Sequence, residues 1–188
     1  MRNFLSTIYC YVDKYNLSDL SKLGRNINII YRNYKNIDHL NDLKKLKIFC
    51  QKNGNKLYIS NNIKLSIKLK LNGVYIPSFN NKLNYCGLFS LPKKFKIIGS
   101  AHNLKEIRIK KSQGCKEIFL SPLFKVSKSK KFLNSIKFNF LTLEINSNFI
   151  ALGGINEKNF KAIKLLRITG FASINWAKKN GLSKLRPF

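Results

Sequence analysis

Short apolar runs recur along the chain at a nearly even pitch, each followed by a stretch of helical character. They are Ile8–Val12, Ile27–Tyr31, Leu57–Ile59, Gly73–Ile76, Phe95–Ile98, Glu117–Leu120, Phe149–Leu152 and Phe171–Ile174. Runs this short and continuous fit strands of a parallel sheet buried on both faces. Between them, Ile37–Cys50 places Leu40, Leu43, Leu46 and Phe49 or Cys50 at helical spacing. Leu104–Lys111 reads as a helix with Asn103 as N-cap and Glu106 at the capping-box position. Shorter helices are expected over Leu17–Leu23, Phe138–Ile145 and Asn156–Leu166, the last with Phe160, Ile163 and Leu166 on one stripe. Ile63–Leu69 alternates strictly, which locally favours a strand, yet the next strand follows too soon, so a helix is expected there. Eight strand–helix units predict an α/β chain, a small (β/α)8 TIM barrel with shortened helices, with a doubly wound open sheet as the alternative. One domain over residues 1–188 is expected, because no linker or low-complexity segment divides the chain.

Charge comes next, because it suggests a different class of function. Lys and Arg number 36 against 8 Asp and Glu, a formal net charge of +28. Lys outnumbers Arg and is scattered along the whole chain, together with many Asn and Ile, a combination that A/T-rich codons produce. A DNA reader leans on Arg for bidentate base contacts, so no specific nucleic-acid partner is expected. The field attracts anions, and small phosphorylated substrates fit it. The 4 cysteines, Cys10, Cys50, Cys86 and Cys115, lie far apart without metal-ligand spacing, which predicts free thiols in a reducing compartment. No run reaches membrane-spanning length, and the opening MRNFLSTIYCYVDK reads as a first strand rather than a signal peptide. A cytoplasmic protein is expected.

In a parallel barrel, chemistry gathers where strands end. The seventh run ends at Gly153-Gly154, before Asn156 opens a helix. Glycines there let a phosphate approach backbone N–H groups at a helix start, and equally serve a plain tight turn. The eighth run leads into Asn175 and Trp176, which can complete a phosphate cup, although a Trp there also serves as a rim anchor. The fifth run leads into Ser100 and His102, where His102 is an acid–base candidate or a hydrogen-bonded spacer. After the sixth run come Pro122 and a basic loop with Lys125, Ser127, Lys128, Ser129, Lys130 and Lys131, a mix that wraps a diphosphate or a solvated face.

The ordered set GSAH, EIFLSPLFKVSKSK, IALGGIN and TGFASI, clearest over residues 97–177, resembles thiamine phosphate synthase and its sister thiazole tautomerase branch. The resemblance implies a transferase of thiamine biosynthesis joining an aminopyrimidine methyl diphosphate to a thiazole phosphate, with Mg²⁺ as cofactor. It implies that Arg32 binds the diphosphate, Ser100 lies near the pyrimidine, and Gly153 and Gly154 meet the thiazole phosphate beside Asn175 and Trp176. It places a diphosphate loop on Ser127, Lys128 and Lys130, with Arg32, Ser100 and Lys128 as the catalytic set. The family's Gln and Lys beside the Arg fall on Ile30 and Tyr34. Its metal-binding carboxylates fall on Asn61, which also lies among the implied substrate contacts, and on Asn80. Pro122 stands where the tautomerase branch has its His, which argues against that activity. A member that binds a thiazole or thiamine phosphate without catalysis is the alternative.

Overall fold

The computed structural model describes residues 7–25, 27–34, 39–83, 91–127, 129, 131–143 and 145–173. Its strands are β1 (Thr7–Val12), β2 (Asn28–Tyr31), β3 (Leu57–Ser60), β4 (Gly73–Ile76), β5 (Lys96–Ala101), β6 (Glu117–Leu120), β7 (Asn148–Leu152) and β8 (Gly170–Ser173). Each pairs in parallel with the next, and β8 returns to β1 with Ile8 opposite Phe171, so the sheet closes into an eight-stranded barrel. Closure excludes the open-sheet alternative. Around it lie α1 (Leu17–Ser21), α2 (His39–Lys52), α3 (Ile63–Lys68), α4 (Leu104–Ser112), α5 (Asn134–Leu143) and a 3-10 helix, Glu157–Leu165.

Asn supplies many of the helix starts, because its short side chain accepts the unpaired N–H groups of a first turn. Asn16, Asn62, Asn103 and Asn156 cap α1, α3, α4 and the 3-10 helix in this way. At α4 only the forward half of the expected box forms, the Asn103 side chain accepting from the Glu106 N–H at 3.0 Å. The Glu106 carboxylate reaches back to the His102 N–H at 2.8 Å, one residue before the cap.

Three expectations change. Leu40 is 52% exposed, and α2 packs on Leu43, Leu46 and Cys50 instead. The fifth helix starts before Phe138 and stops short of Ile145. Asn156–Leu166 is a 3-10 rather than an α-helix, because Phe160, Ile163 and Leu166 are spaced by three, and three residues make one 3-10 turn. Ile63–Lys68 is helical as the spacing of the strands requires, burying Ile63 and Ser66.

Alternation along the strands divides the apolar residues into two layers. Cys10, Val12, Ile29, Tyr31, Val74, Leu120 and Phe149 face the helices. Tyr9, Tyr11, Ile30, Tyr58, Tyr75, Ile98, Phe119, Ile150, Leu152 and Ala172 fill the barrel interior. The Phe119 ring meets Tyr9 at 4.8 Å, Tyr75 at 5.7 Å and Tyr11 at 6.2 Å between centroids, all edge to face, the geometry aromatic quadrupoles favour. At the N-terminal end of the strands, the Tyr9 hydroxyl donates to the Glu117 carboxylate, which also pairs with Lys96 Nζ at 3.2 Å. The carboxylate is thereby buried with two partners rather than alone.

Cys10, Cys50 and Cys115 are buried, and burial pushes the Cys50 thiol up to about 12; Cys86 lies outside the described residues. Among the described residues no helix is long and apolar enough to cross a membrane.

Burial raises the pKa of Tyr9, Tyr11, Tyr58 and Tyr75, so the fold holds each phenol neutral. That stabilisation is complete below the unfolded value of about 10 and is lost as pH rises above it, since the unfolded chain ionises first. In an alkaline titration the tyrosinate absorbance of these four residues is expected to appear only with loss of far-ultraviolet circular dichroism. Comparison with Tyr9→Phe, Tyr11→Phe, Tyr58→Phe and Tyr75→Phe variants assigns the signal. Ionisation of any of the four while the dichroism is intact contradicts this packing.

Candidate active site

The strands' C-terminal ends bring together residues that are distant in sequence. Arg32 follows β2, Asn61 follows β3, Asn80 lies in the loop after β4, Ser100 is on β5, and Gly153 and Gly154 follow β7. Lys128, Lys130, Asn175 and Trp176 lie outside the described residues.

Arg32 is fixed from two sides. Its backbone N–H donates to Val12 O at 2.8 Å, and its guanidinium carbon lies 4.9 Å from the centroid of the Tyr11 ring. Neither neighbour supplies it with a carboxylate. Ile30 is fully buried in the barrel interior, and the exposed Tyr34 hydrogen-bonds Ser60 Oγ at 3.0 Å. The only ion pair among the described residues is Lys96–Glu117 at the far end.

Ser100 is not beyond its strand but within it, two residues past Ile98 and on the same inward face, 5% exposed. Its hydroxyl interacts with that of Tyr75, opposing the rise that burial gives the Tyr75 pKa. Ser100 and Arg32 therefore flank one Tyr11–Tyr75 pair, whose rings meet edge to face at 5.5 Å. The histidine after β5 bridges two loops. His102 Nδ1 lies 2.7 Å from Ser121 O, and Nε2 lies 3.1 Å from Ser78 Oγ. A carbonyl only accepts, so Nδ1 carries a proton and donates to Ser121 O. That is the spacer reading of the two.

Asn61 and Asn80 do meet. Asn80 Nδ2 donates to Asn61 Oδ1 at 2.5 Å, beside an open cleft of about 320 Å³ lined also by Phe79, Asn81 and Lys82. Asn61 has φ +60°, a left-handed conformation that Asn tolerates better than most side chains. The Asn80 loop is held from beneath by α4. The fully buried Lys110 donates to Asn80 O at 2.7 Å and to Gln113 Oε1 at 2.9 Å. Gln113 Nε2 adds bonds of 2.8 Å to Asn80 O and Lys82 O. Burial lowers the Lys110 pKa, with Cys115 and Glu106 opposing. Gly99 makes way for this lysine, since a Cβ there would come within 2.9 Å of Lys110 Cδ.

The donor set does not fit a resident Mg²⁺. Mg²⁺ is held through carboxylates and substrate oxygens, whereas these two side chains are neutral amides bonded to each other. No group of three or more His, Cys, Asp or Glu side chains among the described residues is placed to hold a metal.

Gly153 and Gly154 have φ of +96° and +71°, which L side chains adopt with strain. A Cβ on Gly153 would lie 2.9 Å from Pro122 Cα, and one on Gly154 2.8 Å from the backbone of Phe124 and Lys125. What approaches these glycines is the loop after β6, joined to them by Leu123 N–H to Leu152 O at 2.8 Å and Phe124 N–H to Gly153 O at 3.1 Å. The N–H groups of Lys158 and Asn159 are already accepted by the Asn156 side chain. Farther along that loop, Ser127 is exposed in a turn closed by Ser129 N–H to Val126 O at 3.2 Å.

Sequence reading missed Tyr11, Tyr75 and Lys110. The tyrosines looked like ordinary strand residues, and a buried lysine at position 110 is indistinguishable from its many solvated neighbours.

A family model described as "Thiamine monophosphate synthase" matches residues 23–176. The thiamine-phosphate synthase of Prochlorococcus marinus subsp. pastoris is 30% identical over 130 residues, covering 68% of this chain and 36% of that protein. The same-named protein of another Prochlorococcus marinus strain is 33% identical over 140 residues, 73% of this chain and 38% of its own. The chain thus spans a little over a third of the curated relatives it matches. Among solved structures, a thiamine phosphate pyrophosphorylase from Pyrococcus furiosus superposes with a TM-score of 0.72 at 14% identity, covering 90% of this chain and 85% of that one. Another, from Bacteroides thetaiotaomicron, gives 0.61 at 17%, covering 91% and 83%. Likeness at such identities concerns the barrel fold alone. The family match covers most of the chain, and on it the chain belongs to the thiamine monophosphate synthase family.

Proposed function

We propose that this chain joins an aminopyrimidine methyl diphosphate to a thiazole phosphate, giving thiamine phosphate and diphosphate. The observation that carries the reading is the Arg32 guanidinium, without an ion-pair partner among the described residues and stacked on Tyr11 at the mouth of a barrel of this family. In the reaction, the bond between the pyrimidine methylene carbon and the diphosphate oxygen breaks, and its electron pair leaves with the diphosphate. The thiazole nitrogen lone pair forms the new C–N bond. Charge grows on the departing oxygens, so a fixed cation there lowers the barrier. Arg32 fills that role, with Lys128 and Lys130 as further cations. Ser100 borders the pyrimidine, and Gly153 and Gly154, with Asn175 and Trp176, take the thiazole phosphate. The chain's own cations carry the leaving charge, since its amides do not hold Mg²⁺ by themselves.

A second reading, binding of a thiazole or thiamine phosphate without condensation, draws on the Asn61–Asn80 amide pair in place of carboxylates. Purified protein given both substrates separates the two. Thiamine phosphate is expected to form, and Arg32→Ala is expected to reduce kcat by about 10²–10³-fold, the cost of losing one preorganised charge-stabilising group. Bound substrates with no product would reject condensation and leave the second reading.

Spectroscopic titration with Mn²⁺ tests the metal reading separately. Without diphosphate, the protein is expected to show no saturable Mn²⁺ site, while the Asn61→Asp/Asn80→Asp variant gains one. Saturable Mn²⁺ binding that Asn80→Ala abolishes would contradict it.

A further inference from the structure

Arginines at anion sites are commonly oriented by carboxylates, which also neutralise part of their charge. Arg32 has a different support. The face of Tyr11 lies 4.9 Å from its guanidinium carbon, and among the described residues no carboxylate forms an ion pair with it. Tyr11 is itself held firmly. It is 2% exposed, and its ring is wedged edge to face against Tyr75 and Phe119. Its buried hydroxyl has no hydrogen-bond partner among the described residues. An aromatic face attracts a cation through its quadrupole and uses none of the guanidinium's N–H donors. This contact therefore leaves all five donors and the full charge to a ligand. The position where the family resemblance leads one to expect a polar Gln beside the Arg is Ile30, buried and apolar, so it offers Arg32 no hydrogen bond.

We propose that Tyr11 is the positioning residue for Arg32, and that its ring face, not its hydroxyl, sets the guanidinium to receive the diphosphate. This rests on the reading that Arg32 takes the diphosphate. The test is calorimetric titration of the full chain with inorganic diphosphate, with thermal unfolding measured alongside. The variants are Tyr11→Phe, Tyr11→Leu, Tyr11→Met, Arg32→Ala, and Tyr11→Leu and Tyr11→Met each combined with Arg32→Ala. Met fills the space with a flexible chain and no aromatic face, so it stands in if the Leu variant does not fold.

Tyr11→Phe is expected to keep diphosphate affinity within about twofold. Tyr11→Leu or Tyr11→Met is expected to weaken it about 3- to 30-fold, the span of a cation–π contact from exposed to desolvated. On the Arg32→Ala background the same substitution is expected to add nothing, because coupled residues are not additive. Tyr11→Phe rescue together with this loss of effect separates positioning from general destabilisation. An equal loss on both backgrounds, or no loss from Leu and Met, overturns the inference. If Arg32→Ala weakens diphosphate while both Tyr11 variants do not, the positioning claim alone fails. If Arg32→Ala leaves diphosphate affinity unchanged, the Arg32 reading fails, and this inference fails with it.

Discussion

Phe119 is the ring on which the barrel's interior depends. It stands on β6 and touches Tyr9, Tyr11 and Tyr75 edge to face. Through Tyr9 it reaches the Glu117–Lys96 pair at the N-terminal end of the strands. Through Tyr11 and Tyr75 it reaches Arg32 and Ser100 at the other end. Packed aromatic interiors shift little without repacking. The rings that fill the barrel therefore also fix the two side chains at its mouth.

The two sides of that mouth are built differently. On the Arg32 side a cation rests on an aromatic face, a contact that occupies none of its donors. On the Asn61–Asn80 side the polar groups satisfy each other, and a buried lysine ties the loop backbone to α4. The buried Lys110 amine is held by its bonds to Asn80 O and Gln113 Oε1, and Cys115 and Glu106 favour its charged form. Its value lies in holding that loop, since an unpaired charge there would be costly. Across the barrel, Gly153 and Gly154 let the loop after β6 fold down onto β7, so the glycines serve loop packing directly and any phosphate site through it.

Much of the scaffold was legible because buried strands and caps leave local signals. The eight apolar runs locate all eight strands, and Asn103 with Glu106 marks the start of α4. The 3-10 helix leaves a local mark as well, the three-residue spacing of Phe160, Ile163 and Leu166. At the site, Ser100 lies within an ordered motif while Arg32, Asn61 and Asn80 are named only through the resemblance those motifs carry, and the structure brings Asn61 and Asn80 into contact. What sequence could not show depends on contacts between distant segments. Lys110 and Asn80 are 30 residues apart, and Tyr11 and Arg32 come together only through the β1–β2 register. Nor does a two-glycine turn disclose whether a ligand or a loop will approach it.

The most direct measurement is a crystal structure of the protein with thiamine phosphate and inorganic diphosphate. The account predicts diphosphate oxygens within hydrogen-bond distance of the Arg32 guanidinium while it remains stacked on Tyr11. It also predicts the thiamine phosphate group at the Gly153–Gly154 turn. Diphosphate bound away from Arg32, or an Arg32 that leaves the Tyr11 face to reach it, would contradict the account.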